Sequence, residues 1–287
     1  MRRAPTGWFV VAGALCSLLG SSTAHAFCRS NSCDPARGEV CTVDADGCRQ
    51  GGKLLYWQTD AIPFSVQSDG SAKNKITSAS FEAVIEKAFD TWTGVDCGGG
   101  KHPGLSTMNV GQTTINTIGY VNDASNANVF LFRDDTWLAT VPGSALALTT
   151  VSYDWHTGRI YGADVEVNGT GGNITNGAIT DGADLPSIIL HETGHFFGLD
   201  HARSPSATMY IMYEAGKGNL RVLDPDDISG MCAMYPPLMK AVTMETPAGP
   251  SKAGCSVIGG RADLSCNFVG LLATASVASA ALRRRKK

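Results

Sequence analysis

The chain has 287 residues, 43% of them hydrophobic, which is enough apolar material for a packed core and excludes a disordered protein. Its formal charge of −3 excludes a nucleic-acid binder that depends on a broad basic face. The one basic cluster, Arg283-Arg284-Arg285-Lys286-Lys287, sits at the extreme C-terminus, and the length fits one large domain or two small ones.

Residues 1–26 read as an export signal. Arg2 and Arg3 give a positive start, an apolar stretch runs from 8 to 19, and Ala24-His25-Ala26 is a small-x-small cleavage site, so the mature chain is expected to begin near Phe27. Discounting Cys16 leaves Cys28, Cys33, Cys41, Cys48, Cys97, Cys232, Cys255 and Cys266, an even set that in an exported chain points to disulfides. Four of them fall in 27–52 among Gly, Asp and Arg, with no helical or strand period. That segment reads as a small loop-rich module with two local disulfides of open connectivity.

Leu54-Leu55-Tyr56-Trp57 and Ile62-Pro63-Phe64-Ser65-Val66 read as one strand with an irregular start. Phe81, Val84, Ile85, Ala88, Phe89 and Trp92 recur at spacings of three and four, the mark of a long helix with that face buried, stopping near Gly94. Met108-Asn109-Val110 and Thr114-Ile115 are weaker strand signals than 128–132, and 145–153 is a further strand. The turn Trp155-His156-Thr157-Gly158 leads into 159–167, where Ala163, Val165 and Val167 alternate with Asp164 and Glu166; this pattern predicts a half-exposed strand. Asp184 and Pro186 open a helix, and a last helix starts with Asp224 as cap and Pro225 at its first position. Ile228, Met231, Cys232 and Tyr235 form its buried stripe and Pro236-Pro237 ends it. Cys97 follows the first long helix and Cys232 lies in the last, so the two either bond across the domain or remain buried thiols.

The run His191-Glu192-Thr193-Gly194-His195-Phe196-Phe197-Gly198-Leu199-Asp200-His201 carries the chemistry. On a helix His191 and His195 stand one turn apart and point off one face, as two zinc ligands must. Gly198 can take a left-handed conformation, end the helix and return His201 as third ligand. Three protein ligands leave a position open, the catalytic rather than structural pattern, and Glu192 lies within reach of a water there. A free thiolate from the 27–52 module filling that position is a second reading of its cysteines, alongside local pairing.

The full run, H-E-x-x-H-x-x-G-x-x-H, resembles the metzincin metallopeptidase signature. Three further stretches narrow the resemblance to the matrixins: Ser204-Pro205-Ser206-Ala207-Thr208-Met209-Tyr210, Leu223-Asp224-Pro225-Asp226-Asp227-Ile228-Ser229-Gly230, and Gly143-Ser144-Ala145-Leu146-Ala147-Leu148. The resemblance implies an α+β metzincin domain over 53–236, with a twisted, mostly parallel sheet, an antiparallel edge strand and an active-site helix. It implies one catalytic zinc on His191, His195 and His201, with Glu192 as general base and then general acid. Met209 becomes the Met-turn residue in preference to Met212. Ala145, Leu146 and Ala147 become the strand edge that pairs with substrate backbone, while Tyr210 and Tyr213 bound a side-chain pocket. No Pro-Arg-Cys-Gly motif precedes the domain, and no histidine occurs between 120 and 152 to hold the second zinc common in matrixins. Calcium is compatible with the Asp/Gly/Asn loops, without a defined ligand pattern.

Residues 237–254 shift to Pro, Ala, Gly and Thr and read as a linker. In 255–287, Cys255 precedes an apolar run from 268 to 282 and the basic end. This order resembles C-terminal sorting tails of the myxobacterial type, with Cys255 as processing site and the cell-surface membrane as partner; a retained anchor is the alternative. The expectation is a monomeric, exported or surface-held zinc endopeptidase acting on proteins or peptides. The contrasting readings are a surface binding or adhesion protein with an inactive metzincin-like domain, against which the intact Glu192 speaks, and a structural zinc domain, against which the open fourth position speaks.

Overall fold

A computed structural model describes residues 27–121, 126–138, 143–178, 182–213, 216 and 219–237. The export signal, the linker from 238 and the tail with Cys255 lie outside the described residues, and no described helix is long and apolar enough to cross a membrane.

Among the described residues, three short strands come first, β1 (Cys28–Arg29), β2 (Thr42–Val43) and β3 (Arg49–Gln50). The main sheet follows, made of β4 (Tyr56–Trp57), β5 (Ala61–Gln67), β6 (Ser106–Thr113), β7 (Val129–Arg133), β8 (Ala147–Tyr153) and β9 (Arg159–Asn168). β5 pairs with β6 and β7, and β9 with β7 and β4, all parallel; only β8 runs antiparallel, against β9. Because Val165 and Val167 of β9 meet both β7 and β8, those two strands lie on opposite edges of β9. β8 therefore ends the sheet, with no further strand beyond it among the described residues. The short pair β10 (Ile174–Thr175) and β11 (Ala183–Asp184) leads to the second of three helices, α1 (Ser78–Thr93), α2 (Leu185–Phe197) and α3 (Pro225–Met234); β12 (Leu199–Asp200) follows α2. This is the α+β architecture that the resemblance implies.

Two strand readings change. Residues 54–66 make two strands, because β4 pairs with β9 while β5 sits between β6 and β7. Thr114 and Ile115 lie beyond β6, where the Thr113 hydroxyl accepts the N–H of Ile115 and the chain leaves the sheet. β9 departs most from its pattern. Asp164 and Glu166 are buried along with Val165 and Val167, since the chain around 116–119 lies against their face, with Gly119 bonded to Asp164 and Asn116 to Arg133. Their charge is met locally: Asp164 accepts the N–H groups of Gly119 and Val129, and Glu166 pairs with Arg133 at 2.6 Å.

α1 begins at Thr77, whose hydroxyl accepts the Ser80 N–H, and buries Phe81, Ile85, Ala88, Phe89 and Trp92. Phe89 packs on Phe64 of β5 and on Phe196 of α2, with ring centroids 4.6 and 5.1 Å apart; such buried rings dominate core energetics. α2 starts at Asp184, which accepts from Ser187 and is held by Arg221. The last carbonyls of a helix have no intrahelical partner. In α2 they are filled from outside: Trp57 Nε1 donates to Phe196 O at 2.7 Å and the Tyr235 hydroxyl to Phe197 O at 2.6 Å. The end of α2 is thus pinned from β4 and from the residue that closes α3.

Candidate active site

α2 places His191 and His195 on one face, and Gly198, at φ 101°, ends the helix in the left-handed region. That conformation is open to glycine at no steric cost, and it returns the chain so that His201 faces the other two. The ligand-capable atoms of the three histidines all lie within 4.8 Å of one another, and His195 Nε2 is 3.2 Å from His201 Nε2. His191 Nδ1 meets Thr208 O at 2.7 Å and His195 Nδ1 meets Leu199 O at 2.9 Å. A carbonyl can only accept, so each Nδ1 carries the proton and each Nε2 turns a lone pair inward. Burial and the neighbouring imidazoles lower the pKa of all three histidines, His195 to about 4, so the neutral, ligating form prevails at neutral pH. The donor set fits a zinc ion. Among the described residues it is the one such cluster of three or more His, Cys, Asp or Glu side chains.

Glu192 is 7% exposed, and burial raises its carboxyl pKa. Its Oε2 accepts from the hydroxyl of Thr149 at 2.6 Å. Thr149 stands on β8 and has no place among the residues singled out in the sequence. Its signal was its register, two residues from Ala147 on the proposed substrate edge. Removing a hydrogen bond to a charged group is worth about 1.5–3 kcal/mol. Thr149→Ala is therefore expected to lower kcat on a protein substrate roughly 10- to 100-fold at near-constant KM, with most activity restored in Thr149→Ser; a kcat unchanged by the alanine would remove Thr149 from the site.

Met209 is 2% exposed, whereas Met212 is 61% exposed. Met209 lies against Gly194 of α2, where an added Cβ would run into its sulfur and into Trp92; the glycine of H-E-T-G-H is what lets the methionine approach. The backbone of this turn is held by Asp227, a second residue that the sequence did not single out for the site. Its carboxylate, 1% exposed, accepts from Thr208 N at 2.7 Å and Met209 N at 3.1 Å, and the Thr208 carbonyl orients His191. In the sequence Asp227 stood only as part of the Leu223–Gly230 stretch; in the structure it also completes a capping box with Asp224.

The other expected residues separate. In the antiparallel ladder of β8 with β9, N–H and C=O groups alternate between the partner and the free edge. Leu146 O bonds to Asn168 N, so Leu146 faces β9, while Ala147, Thr149 and Val151 face outward. Ala145 O is taken by the Asn168 side chain at 2.9 Å. Of the three tentative edge residues, Ala147 is the one turned outward with no such partner on its carbonyl. Tyr210 is half-buried; Tyr213 is too, and its hydroxyl accepts the Asp184 N–H at 2.6 Å at the start of α2. Cys97 bonds to Cys232, Cys28 to Cys48 and Cys33 to Cys41. All four cysteines of 27–52 are thus consumed, which overturns the free-thiolate reading.

A six-stranded, mostly parallel sheet with one antiparallel edge strand, and a helix delivering two histidines beneath it, define a metzincin-type domain. A match to the matrixin family covers residues 56–236. The chain belongs to the matrixins. It is 30% identical over 102 residues to the probable matrix metalloproteinase 095L of Invertebrate iridescent virus 3, covering 35% of this chain and 26% of that protein. It is 34% identical over 74 residues to the macrophage metalloelastase of Oryctolagus cuniculus, and 31% identical over 74 residues to that of Rattus norvegicus. Each of those two matches covers 26% of this chain and 16% of the relative, so the chain spans about a quarter or less of the curated relatives it matches.

Proposed function

We propose that the chain is an exported zinc endopeptidase that hydrolyses peptide bonds of proteins. The observation that carries this reading is the convergence of three half-buried imidazoles beside a buried carboxylate, under a strand edge that has no further strand beyond it among the described residues. His191, His195 and His201 hold the metal. Zinc, when bound there, supplies Lewis acidity, lowering the pKa of water toward neutrality and drawing off charge from a carbonyl oxygen.

The protein's own residues do the rest. The outward N–H and C=O groups of Ala147 and Thr149 lay an extended substrate along β8 by strand addition. Glu192, aimed by Thr149, takes a proton from the attacking water and passes it to the leaving amine. Tyr210 and Tyr213 bound the adjoining side-chain pocket. Met209 underlies α2 at Gly194 as a soft apolar floor.

Export rests on the 1–26 signal, and surface retention on the 255–287 tail. Purified from its native host, the protein is expected to carry one zinc per chain and to hydrolyse a general protein substrate. A chelator should stop the activity and returned zinc restore it; its intact mass should place the N-terminus near Phe27 and a C-terminal cut near Cys255. Hydrolysis unaffected by zinc removal would sink the catalytic reading, and an uncut C-terminus would sink the sorting reading alone.

A further inference from the structure

The Cys-rich segment 27–52 has no helical or strand period of its own. Its internal order comes from the β2–β3 pair and from two short disulfide loops, Cys28–Cys48 and Cys33–Cys41, closed over 20 and 8 residues. In the structure it is joined to the domain through backbone. Cys28 and Arg29, as β1, pair antiparallel with Asp200 and Leu199, the two residues of β12 immediately before His201. Ser30 N donates to Gly198 O at 2.9 Å, and the Ser30 hydroxyl donates to Leu199 O at 3.0 Å. Leu199 O also accepts from His195 Nδ1 at 2.9 Å, so one carbonyl uses both lone pairs, one for a histidine and one for this segment.

The attachment continues on either side. Leu55 N donates to Ser30 O, Ser32 N donates to Lys53 O, and the Arg29 guanidinium donates to Leu55 O. From beyond His201, Arg203 reaches back to Ala45 O at 3.2 Å. Cys28 is 2% exposed, which ties the buried end of β1 to Cys48 across the segment.

A segment built for removal would leave a complete site behind. Excision of 27–52 would instead strip the partners from Gly198 O and from the second lone pair of Leu199 O, on the one turn that both orients His195 and delivers His201. We propose that segment 27–52 is a permanent brace of the metal centre, retained in the working enzyme. In it β1 and Ser30 fix the 198–200 turn, and through that turn the directions of the His195 and His201 imidazoles. The proposal rests on the reading of those histidines as zinc ligands. Groups that orient a ligand from behind are worth about 10- to 100-fold in metal affinity, and the brace acts at that remove.

The test measures zinc affinity of the full mature protein by competition with a chelating dye, alongside thermal unfolding of the zinc-free form. Cys28→Ser with Cys48→Ser frees β1, and zinc affinity is expected to fall about 10- to 100-fold. Cys33→Ser with Cys41→Ser removes the disulfide that does not reach β1 and is expected to leave affinity within about twofold of wild type, well inside that range. Ser30→Ala removes only the hydroxyl on Leu199 O and is expected to give a smaller loss, several-fold, toward the low end of that range.

A folded Cys28/Cys48 variant with wild-type affinity overturns the proposal, and so does an equal loss in the Cys33/Cys41 pair. If the Cys28/Cys48 variant does not fold, Ser30→Ala decides: unchanged affinity overturns the brace, a loss supports it. An active native enzyme whose N-terminus lies beyond residue 52 overturns it as well. A wild-type protein that binds no zinc sinks the ligand assignment itself, a different result from one that binds zinc equally well in every variant.

Discussion

Glu192→Ala is expected to retain zinc and to lose peptide hydrolysis by on the order of 10³-fold, within the range that a positioned general acid–base supplies. The carboxylate stands beside the imidazole cluster without belonging to it, so its removal leaves the three imidazoles in place, with the carbonyls that hold His191 and His195 through Nδ1. The other carboxylates described near the site are engaged elsewhere, and Asp200 accepts the His201 N–H at 2.8 Å. Asp227 spends its oxygens on the N–H groups of Thr208, Met209 and Asp224. Asp184 is held by Arg221 and Ser187. Burial, the largest influence on Glu192, raises its pKa above the ordinary carboxylate value. Glu192→Gln separates the roles further: it keeps a carbonyl oxygen for the Thr149 hydroxyl and removes the proton acceptor, so it is expected to be as inactive as the alanine. Zinc stoichiometry and kcat on a general protein substrate measure both variants, and turnover near wild type in either one would falsify the assignment of Glu192 as the proton carrier.

What the sequence displayed was what is local. The caps at Asp184 and Asp224 with their following prolines, the φ-permissive Gly198, and the one-turn spacing of His191 and His195 are each decided within a few residues, and the structure places them as the pattern predicts. What stayed hidden depends on partners far along the chain. Asp164 and Glu166 look solvent-facing by alternation, yet both are buried, and their partners Gly119, Val129 and Arg133 lie about thirty to forty-five residues away. Thr149 meets Glu192 across 43 residues, and Ser30 meets Leu199 across 169; no periodicity announces such pairs. The tentative edge residues divide in a finer way. A strand signal marks 145–153, but only the register with β9 decides that Leu146 turns inward and Ala147 outward.

Serine at both Cys97 and Cys232 is expected to cost the domain several kcal/mol. The bond joins residues 135 apart, and the chain-entropy account gives about 5 kcal/mol for a loop of that length, with measured losses for native disulfides of about 2–5 kcal/mol. For a domain of this size each kcal/mol moves the unfolding midpoint by about 2–4 °C, so the midpoint should fall by roughly 5–15 °C. The consequence reaches the site by a definite route. Cys97 follows α1, while Cys232 lies in α3, the helix that carries Asp227. Asp227 holds the Thr208 and Met209 amides, and Thr208 O orients His191. Loosening α3 therefore acts on the Met-turn directly through Asp227, and on α2 only at its last turn, where Tyr235 holds Phe197 O while Trp57 still holds Phe196 O. The variant should lose zinc on heating at a lower temperature than it loses the helical signal, whereas in the wild type the two transitions coincide. Thermal scans following circular dichroism and released zinc on the same samples distinguish these cases. A midpoint within about 2 °C of wild type, less than the smallest loss allows, would show that packing alone holds α1 and α3 together.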